Sequence, residues 1–320
     1  MINAEILEIL WKQLSSKFSE GFGAGETTAV DAFTTTMPLG TRTMRFDWLG
    51  DFHEFRKWVG PRIFKQLETK TYEATYDDYE LSHRVLRRDI RDGIISPYMM
   101  QAFSGGEGAR LLKPRLAAEA LDIGNAAPCY DGQNFFDTEH PIGEDGDETL
   151  VSNYFDAGGA QAAHPWYIAD LSRSLKPIIV LERESPQFVS YQNLSDPSVF
   201  FNKEFLFGAQ ASLGTAYGLW QQIVRSEGDV TVQKLLDIRT AMADFRGDFK
   251  NEAGRRKKMG YDPTHIIFGS SNRDKILTIL DSPMLSGSYT SDVMNPGATD
   301  TAKQNPAYKM LIPLYVSWLP

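Results

Sequence analysis

Tyr130-Asp131-Gly132-Gln133-Asn134-Phe135-Phe136-Asp137-Thr138-Glu139-His140-Pro141 packs turn formers, an adjacent pair of aromatics and three acids into a dozen positions. The stretch follows neither helical nor strand periodicity. Asp131-Gly132 predicts a turn, because Gly takes positive φ freely and Asp can bond its own backbone two residues on. Phe135 and Phe136 both need burial, and adjacent side chains of an extended segment point to opposite faces. The segment is therefore expected to be gripped from both sides. His140 precedes Pro141, which pushes it out of the helical region into an extended conformation.

Two chemical readings follow. Asp131, Asp137 and His140 are possible ligands of a divalent metal, as in a metal-dependent hydrolase, and Asp137 with His140 could form an acid/base couple. A transition-metal site usually adds spaced His or Cys elsewhere, whereas this chain has five scattered His and one Cys. The favoured reading is a stiff, buried connection whose carboxylates cap turns and bind backbone N–H groups, with no catalytic residue, metal or cofactor. Cys129, the single cysteine, excludes an internal disulfide. With no basic helix N-terminus nearby to activate it, it reads as a small buried hydrophobe.

A chain of 320 residues accommodates two domains or one large intertwined one. Its 42% hydrophobic and 12% aromatic content suits a globular core, and no apolar run approaches the roughly 18 residues that would suggest a membrane span. Glu5 and Glu8 interrupt the N-terminal apolar residues and no basic leader precedes them, so synthesis in a cytoplasm without a secretory signal is expected. A net charge of -9 argues against a general nucleic-acid binder. Gly-x-Ser-x-Gly, His-Glu-x-x-His and dinucleotide fingerprints are all missing from the sequence.

Along the chain, Ile6, Ile9, Leu10, Leu14 and Phe18 predict an amphipathic helix over 3–19, capped by Asn3. Residues 20–40 read as a flexible arm. A strand is expected over 41–46, then an apolar cluster of Trp48, Phe52, Phe55 and Trp58, with Arg56 and Arg62 in intersubunit or internal salt bridges. Residues 71–91 alternate as one strand of a partly solvated, two-stranded ribbon; an isolated hairpin is marginal in water, so such a ribbon needs a partner surface. Ser96-Pro97 opens a helix that residues 104–108, Ser-Gly-Gly-Glu-Gly, are expected to break before it resumes over 110–123. Residues 144–148 form an acidic loop. Strands follow over 176–181 and 187–192, a tightly packed helix over 205–224, a helix capped by Thr231, a strand over 265–268, a helix over 272–280, a long loop over 282–305 and a terminal strand over 308–319. The basic run Arg255-Arg256-Lys257-Lys258 could face DNA, pair with an acidic patch or stay solvated.

Three segments, in order, carry a resemblance. The central stretch, the run Trp48-Leu49-Gly50-Asp51-Phe52-His53-Glu54-Phe55-Arg56-Lys57-Trp58-Val59-Gly60-Pro61-Arg62, and the set Tyr217-Gly218-Leu219-Trp220-Gln221, Ala241-Met242 and Asp262-Pro263-Thr264 together resemble the Mu-like bacteriophage major head subunit family. The resemblance implies an α+β protein of the Hong Kong 97-type phage capsid fold. It implies an N-terminal arm over 1–40, an extended β-ribbon loop over 41–92, a peripheral domain with a spine helix over 93–149 and 205–259, and an axial domain over 150–204 and 260–320. The implied role is a major capsid protein, not an enzyme. Its pentamers and hexamers would build an icosahedral head around the genome, after assembly in the host bacterial cytoplasm. Scaffolding protein, portal and a decoration protein would be its partners, with no sequence-specific DNA contact and no membrane. Trp48, Gly50, Arg56, Trp58, Gly60, Arg62, Tyr130, Asp131, Gly132, Phe135, Phe136, Asp137, His140 and Pro141 would be structural. Residues 104–108 and the run at 255–258 depart from the family pattern.

Overall fold

The computed structural model describes residues 4–25, 28–46, 49, 72–143, 147–155, 164–191, 197–250, 255–285 and 303–320. Trp48, Gly50, Arg56, Trp58, Gly60 and Arg62 lie outside them. The helices are α1 (Ala4–Gly23), α2 (Arg87–Asp92), α3 (Ser96–Asp122), α4 (Pro197–Asn202), α5 (Val232–Ala243) and α6 (Arg273–Asp281). The first strands are β1 (Thr34–Pro38), β2 (Thr43–Arg45), β3 (Glu73–Thr75), β4 (Asp77–Leu86), β5 (His140–Ile142), β6 (Thr149–Val151), β7 (Tyr154–Phe155) and β8 (Trp166–Ala169). Then come β9 (Ile178–Tyr191), β10 (Glu204–Tyr217), β11 (Ile223–Ser226), β12 (Arg246–Lys250), β13 (Arg256–Lys258), β14 (His265–Phe268), β15 (Met284–Leu285), β16 (Lys303–Gln304) and β17 (Ile312–Tyr315).

Two sheets organise the molecule, one ordered β1-β9-β10-β4 and the other β17-β14-β8-β11-β7. Strands β9 and β10 are long and antiparallel, with irregular register near Gln210 and Ser212. Their lower halves enter the main core through Ile178, Ile179, Val180, Leu181 and Tyr217. The upper half of β10 instead contributes Phe205 and Phe207 to a second core, with Leu7, Leu10, Trp11 and Leu14 of α1, Val85 of β4, and Tyr98 and Ala102 of α3. Helix α3 thus borders both cores. Among the described residues no helix is long and apolar enough to cross a membrane.

Several expectations are corrected. Residues 104–108 do not break α3, which runs unbroken from Ser96 to Asp122. The glycines serve a helix crossing. A Cβ on Gly106 would sit 2.0 Å from the Phe18 carbonyl oxygen, and one on Gly21 2.0 Å from that of Phe103, so α1 and α3 meet backbone to backbone. The helix expected over 205–224 is strand β10, a short 3-10 turn at Trp220–Gln222 and strand β11. Phe205, Phe207, Ala209, Ala211 and Leu213 alternate onto one buried face, as a strand requires. Gly208 and Gly214 bring that strand against its neighbour: a Cβ at either would lie within about 2 Å of the carbonyl oxygen of Leu81 or Thr75.

Strand β4 is the edge of the four-stranded sheet, paired with β10 from Asp77 to Leu86, and not half of a two-stranded ribbon. The strands expected over 176–181 and 187–192 are one, β9. Residues 20–40 complete α1 and then form a 3-10 turn at Ala29–Phe33 and β1, which runs parallel to β9. The terminal strand is short, Ile312–Tyr315. At the loop over 282–305 the described ends pair as β15 and β16, and the Asn305 amide donates to the Ser282 carbonyl at 2.8 Å. The basic run finds internal partners: Arg256 donates to Thr149 Oγ1 at 2.7 Å and to the backbone and carboxylate of Asp147, while Lys258 meets Asp244 at 2.8 Å.

Two features give measurable expectations. Thr231 caps α5, its Oγ1 accepting from the Lys234 amide at 3.2 Å, so Thr231→Ala should cost about 1 kcal/mol. The urea midpoint reads this directly, and an unchanged midpoint would mean the amide is satisfied without the cap. Lys113 of α3 donates to Glu182 of β9 at 2.7 Å. Burial opposes the Glu182 charge, but Lys113 and Ser185 hold its carboxyl below the usual glutamate range. A carboxyl depressed in the folded state contributes stability above its unfolded pKa and loses it as pH falls through the folded value. Glu182→Gln should therefore lower the melting temperature at neutral pH, and the gap should close once the pH falls well below the ordinary value of 4.5. A gap that persists in acid would assign the effect to packing instead.

Candidate functional site

The central stretch starts where α3 ends. A 3-10 turn at Ile123–Asn125 reverses the chain, and Gly124 leaves room for the Phe136 ring, which a Cβ would meet at 2.8 Å. The returning strand segment is then fastened amide by amide: Phe136 N–H donates to the Gly124 carbonyl, Phe135 N–H to that of Ala127, and Cys129 N–H to that of Gln133. The expected turn is present. Gly132 adopts φ +90°, its N–H donates to the Cys129 carbonyl, and Asp131 Oδ1 accepts the Gln133 amide at 3.1 Å.

The grip from two sides is present as well. Phe135 stacks on Tyr217 of β10, with ring centroids 4.4 Å apart, and Phe136 lies 5.4 Å from Tyr167 of β8. Because β10 and β8 belong to different sheets, this pair of adjacent aromatics joins the two. Tyr130 adds a third tie, its hydroxyl accepting from the Gln221 amide at 2.8 Å.

His140 is fully buried and stacks on Trp220, centroids 4.0 Å apart and planes 11° from parallel. Its Nδ1 lies 2.7 Å from Asp131 Oδ2 and its Nε2 3.1 Å from Asn153 Oδ1. Burial alone would raise the Asp131 carboxyl, but the hydrogen bond and charge of His140, the Cys129 thiol and the Gln133 amide together hold it below the usual carboxylate range. Burial pushes the Cys129 thiol strongly up, so it stays protonated and donates to Asp131 Oδ1 at 3.0 Å.

Of the three residues singled out as metal ligands, the structure brings Asp131 and His140 together and leaves Asp137 apart. Asp137 Oδ1 accepts the amides of Thr138 and Glu139, 2.7 and 3.1 Å away, which is a local turn cap. No Asp137–His140 acid/base couple is formed. A hydrolytic metal also needs an open coordination position beside substrate, and His140 here has both ring nitrogens engaged inside the core. Cys129 takes the place that Asp137 was expected to fill: its Sγ, Asp131 and His140 present donor atoms all within 4.8 Å of one another.

Two residues that matter here escape sequence reasoning. Asn153 accepts the Asp137 amide on Oδ1 at 2.9 Å and donates from Nδ2 to the Phe135 carbonyl at 2.8 Å, tying the chain before β5 to the chain before β7. Arg225 of β11 pairs with Glu227, Nη2 to Oε1 2.7 Å, both about 95% buried. The guanidinium also donates to the Asp122 carbonyl at the C-terminus of α3 and to the Tyr167 hydroxyl, near the rings of Phe136 and Tyr167. The Arg-x-Glu spacing within an apolar run was the available signal; Asn153 offered none.

These aromatics and hydrogen bonds tie the two sheets together. The profile of the family described as Mu-like prophage major head subunit gpT matches residues 7–299. The major capsid protein of Escherichia phage Mu is 36% identical over 234 residues, covering 71% of this chain and 73% of that protein. The Mu-like prophage FluMu major head subunit of Haemophilus influenzae is 31% identical over 271 residues, 82% of this chain and 86% of that one. Among solved structures, a chain of the procapsid of bacteriophage JBD30 superposes with a TM-score of 0.79 at 28% identity, covering 99% of this chain and 100% of its own.

Proposed function

This chain belongs to the Mu-like prophage major head subunit family and is a major capsid protein with the Hong Kong 97-type phage capsid fold, and from that premise we propose that it self-assembles as pentamers and hexamers into the icosahedral head that encloses the genome of a Mu-like tailed phage or prophage. The end-to-end similarity to a procapsid subunit carries this reading. It is a component of the virion capsid and not an enzyme. Assembly would take place in the host cytoplasm, with a scaffolding protein, a portal and a decoration protein as partners.

In this reading residues 1–40 serve as the arm, 41–92 contain the extended loop, 93–149 and 205–259 build the peripheral domain around α3 as spine helix, and 150–204 with 260–320 build the axial domain. Strands β9 and β10 pair across the 204/205 boundary, so the two parts are intertwined through a shared sheet. Exposed apolar side chains such as Tyr191, Phe201 and Met100, which are 63%, 77% and 67% accessible in the single subunit, suit surfaces that close on neighbouring copies. The signature residues 130–141 act structurally, holding the two sheets at one fixed relation in every subunit environment of the shell.

Electron microscopy of the purified chain, expressed alone and again with the scaffolding gene from its own neighbourhood, tests the proposal. Closed particles or stable capsomer rings are expected; a persistent monomer in both preparations would overturn it.

A further inference from the structure

We propose that Cys129, Asp131 and His140 form a structural site for a thiophilic divalent cation of the zinc class. Thiolate, imidazole and carboxylate are the donors such a cation takes, and here all three converge in the core, their donor atoms within 4.8 Å of one another. The thiol approaches Asp131 Oδ1 at 3.0 Å and His140 Nδ1 approaches Oδ2 at 2.7 Å, so both point at the same carboxylate. A turn and a strand supply them: Cys129 and Asp131 lie in the tight turn that Gly132 closes, and His140 opens β5.

The hydrogen bonds of Asn153 fix which ring nitrogen of His140 faces the site. Asn153 Oδ1 accepts the Asp137 amide while its Nδ2 donates to the Phe135 carbonyl, which fixes the orientation of the side-chain amide. His140 Nε2, 3.1 Å from that oxygen, must therefore carry a proton. Nδ1 is thus the ring nitrogen turned toward Asp131, in the same cluster as Cys129. A divalent cation held by a thiolate, a carboxylate and a neutral imidazole, in exchange for protons released to water, gives a buried group with no net charge. The exchange leaves the core electrically neutral, which is what burial demands of charged groups.

The surroundings fit a bound cation. A metal-ligating His holds its other N–H on an acceptor that fixes ring orientation, and the Nε2–Asn153 contact with the Trp220 stack does this for His140. The Asn134 carbonyl oxygen, 3.9 Å from Sγ, stands nearest the thiol as a fourth donor. Metal–ligand bonds of roughly 2.0–2.3 Å set donor atoms somewhat farther apart than a hydrogen bond does, so the Gly132 turn opens slightly on loading. A fully enclosed site is closed to substrate, and the cation's role is to brace the hub.

The test uses the purified full chain as unassembled subunit, so it stands apart from the question of shell formation. The chain is stripped with chelator and titrated with Zn²⁺, and separately with Co²⁺. About one equivalent should bind, Co²⁺ should produce a thiolate charge-transfer band in the near ultraviolet, and the melting temperature should rise. Cys129→Ser keeps a hydroxyl donor for Asp131 and preserves the fold, yet should abolish the cobalt band and weaken Zn²⁺ binding beyond the roughly 10–100-fold expected for loss of an outer hydrogen-bond partner. Failure of the wild-type chain to bind one equivalent, or binding that Cys129→Ser leaves intact, would overturn the assignment.

Discussion

Gly106→Ala should destabilise the chain by about 3 kcal/mol, at the upper end of what overpacking a well-packed contact costs. The added Cβ would lie 2.0 Å from the Phe18 carbonyl oxygen and 2.7 Å from the Phe22 amide nitrogen. Those are backbone atoms of α1, so no side chain can swing aside, and relief comes only from moving α1 away from α3. That movement uncovers Leu10, Trp11 and Leu14, which the second core buries against Phe205 and Phe207. A lower urea midpoint should therefore come with new protease cuts within α1. Gly108, two residues on in the same helix, is the control. A Cβ there meets nothing within 4 Å, and in a helix interior alanine is favoured over glycine by roughly 0.8–1 kcal/mol. Gly108→Ala should thus raise the midpoint. Equal responses of the two variants would show that α1 does not press on α3 and would remove the reason for glycine at 106.

The same glycines explain where reading the sequence stops. A glycine pair inside a helical pattern looks like a break when only the local chain is considered, because its value lies in a contact with residues about 85 positions earlier. Helix α5 was legible because its signals are local: Thr231 as cap, then Leu235, Ile238 and Met242 on one face. Strand β14 and helix α6 were legible for the same reason, as was the Asp131-Gly132 turn. Strand β10 was not. Its small residues dilute the alternation of Phe205, Phe207 and Leu213, and Gly208 and Gly214 are explained only by the carbonyls of β3 and β4 beside them. Of the candidate site, the burial of Phe135 and Phe136 and the Asp131–His140 proximity could be anticipated, but Asp137 could not be excluded, because its carboxylate is satisfied by amides one and two residues ahead. Asn153 acts on partners far away in the chain, and one polar residue between two short strands carries no pattern, while the Arg225–Glu227 spacing does not disclose the contacts of Arg225 with Asp122 and Tyr167.

Arg225 leads to the second large expectation. Arg225→Met should cost about 3–5 kcal/mol, because it strands a buried carboxylate on Glu227. It also removes the cation that sits at the C-terminal end of α3 on the Asp122 carbonyl, where positive charge is favoured by the helix dipole. Exposed pairs such as Arg91–Asp92 set the contrast, since ion pairs of that kind contribute at most about 1 kcal/mol. The double variant Arg225→Met with Glu227→Leu removes both charges and should recover much of the loss, as apolar replacements of buried pairs do. The resulting coupling, read from urea midpoints of the four proteins at neutral pH, should reach about 2 kcal/mol. Additive single effects would mean that water reaches Glu227 and that the pair is incidental. Strong coupling would locate the register of the hub in one guanidinium, which at once ends the long helix, bonds the Tyr167 hydroxyl and lies near the Phe136 ring. In the proposed shell, a subunit that keeps the same relation between its sheets at every position has reason to fix that junction with a directional charged group, because apolar packing alone tolerates sliding.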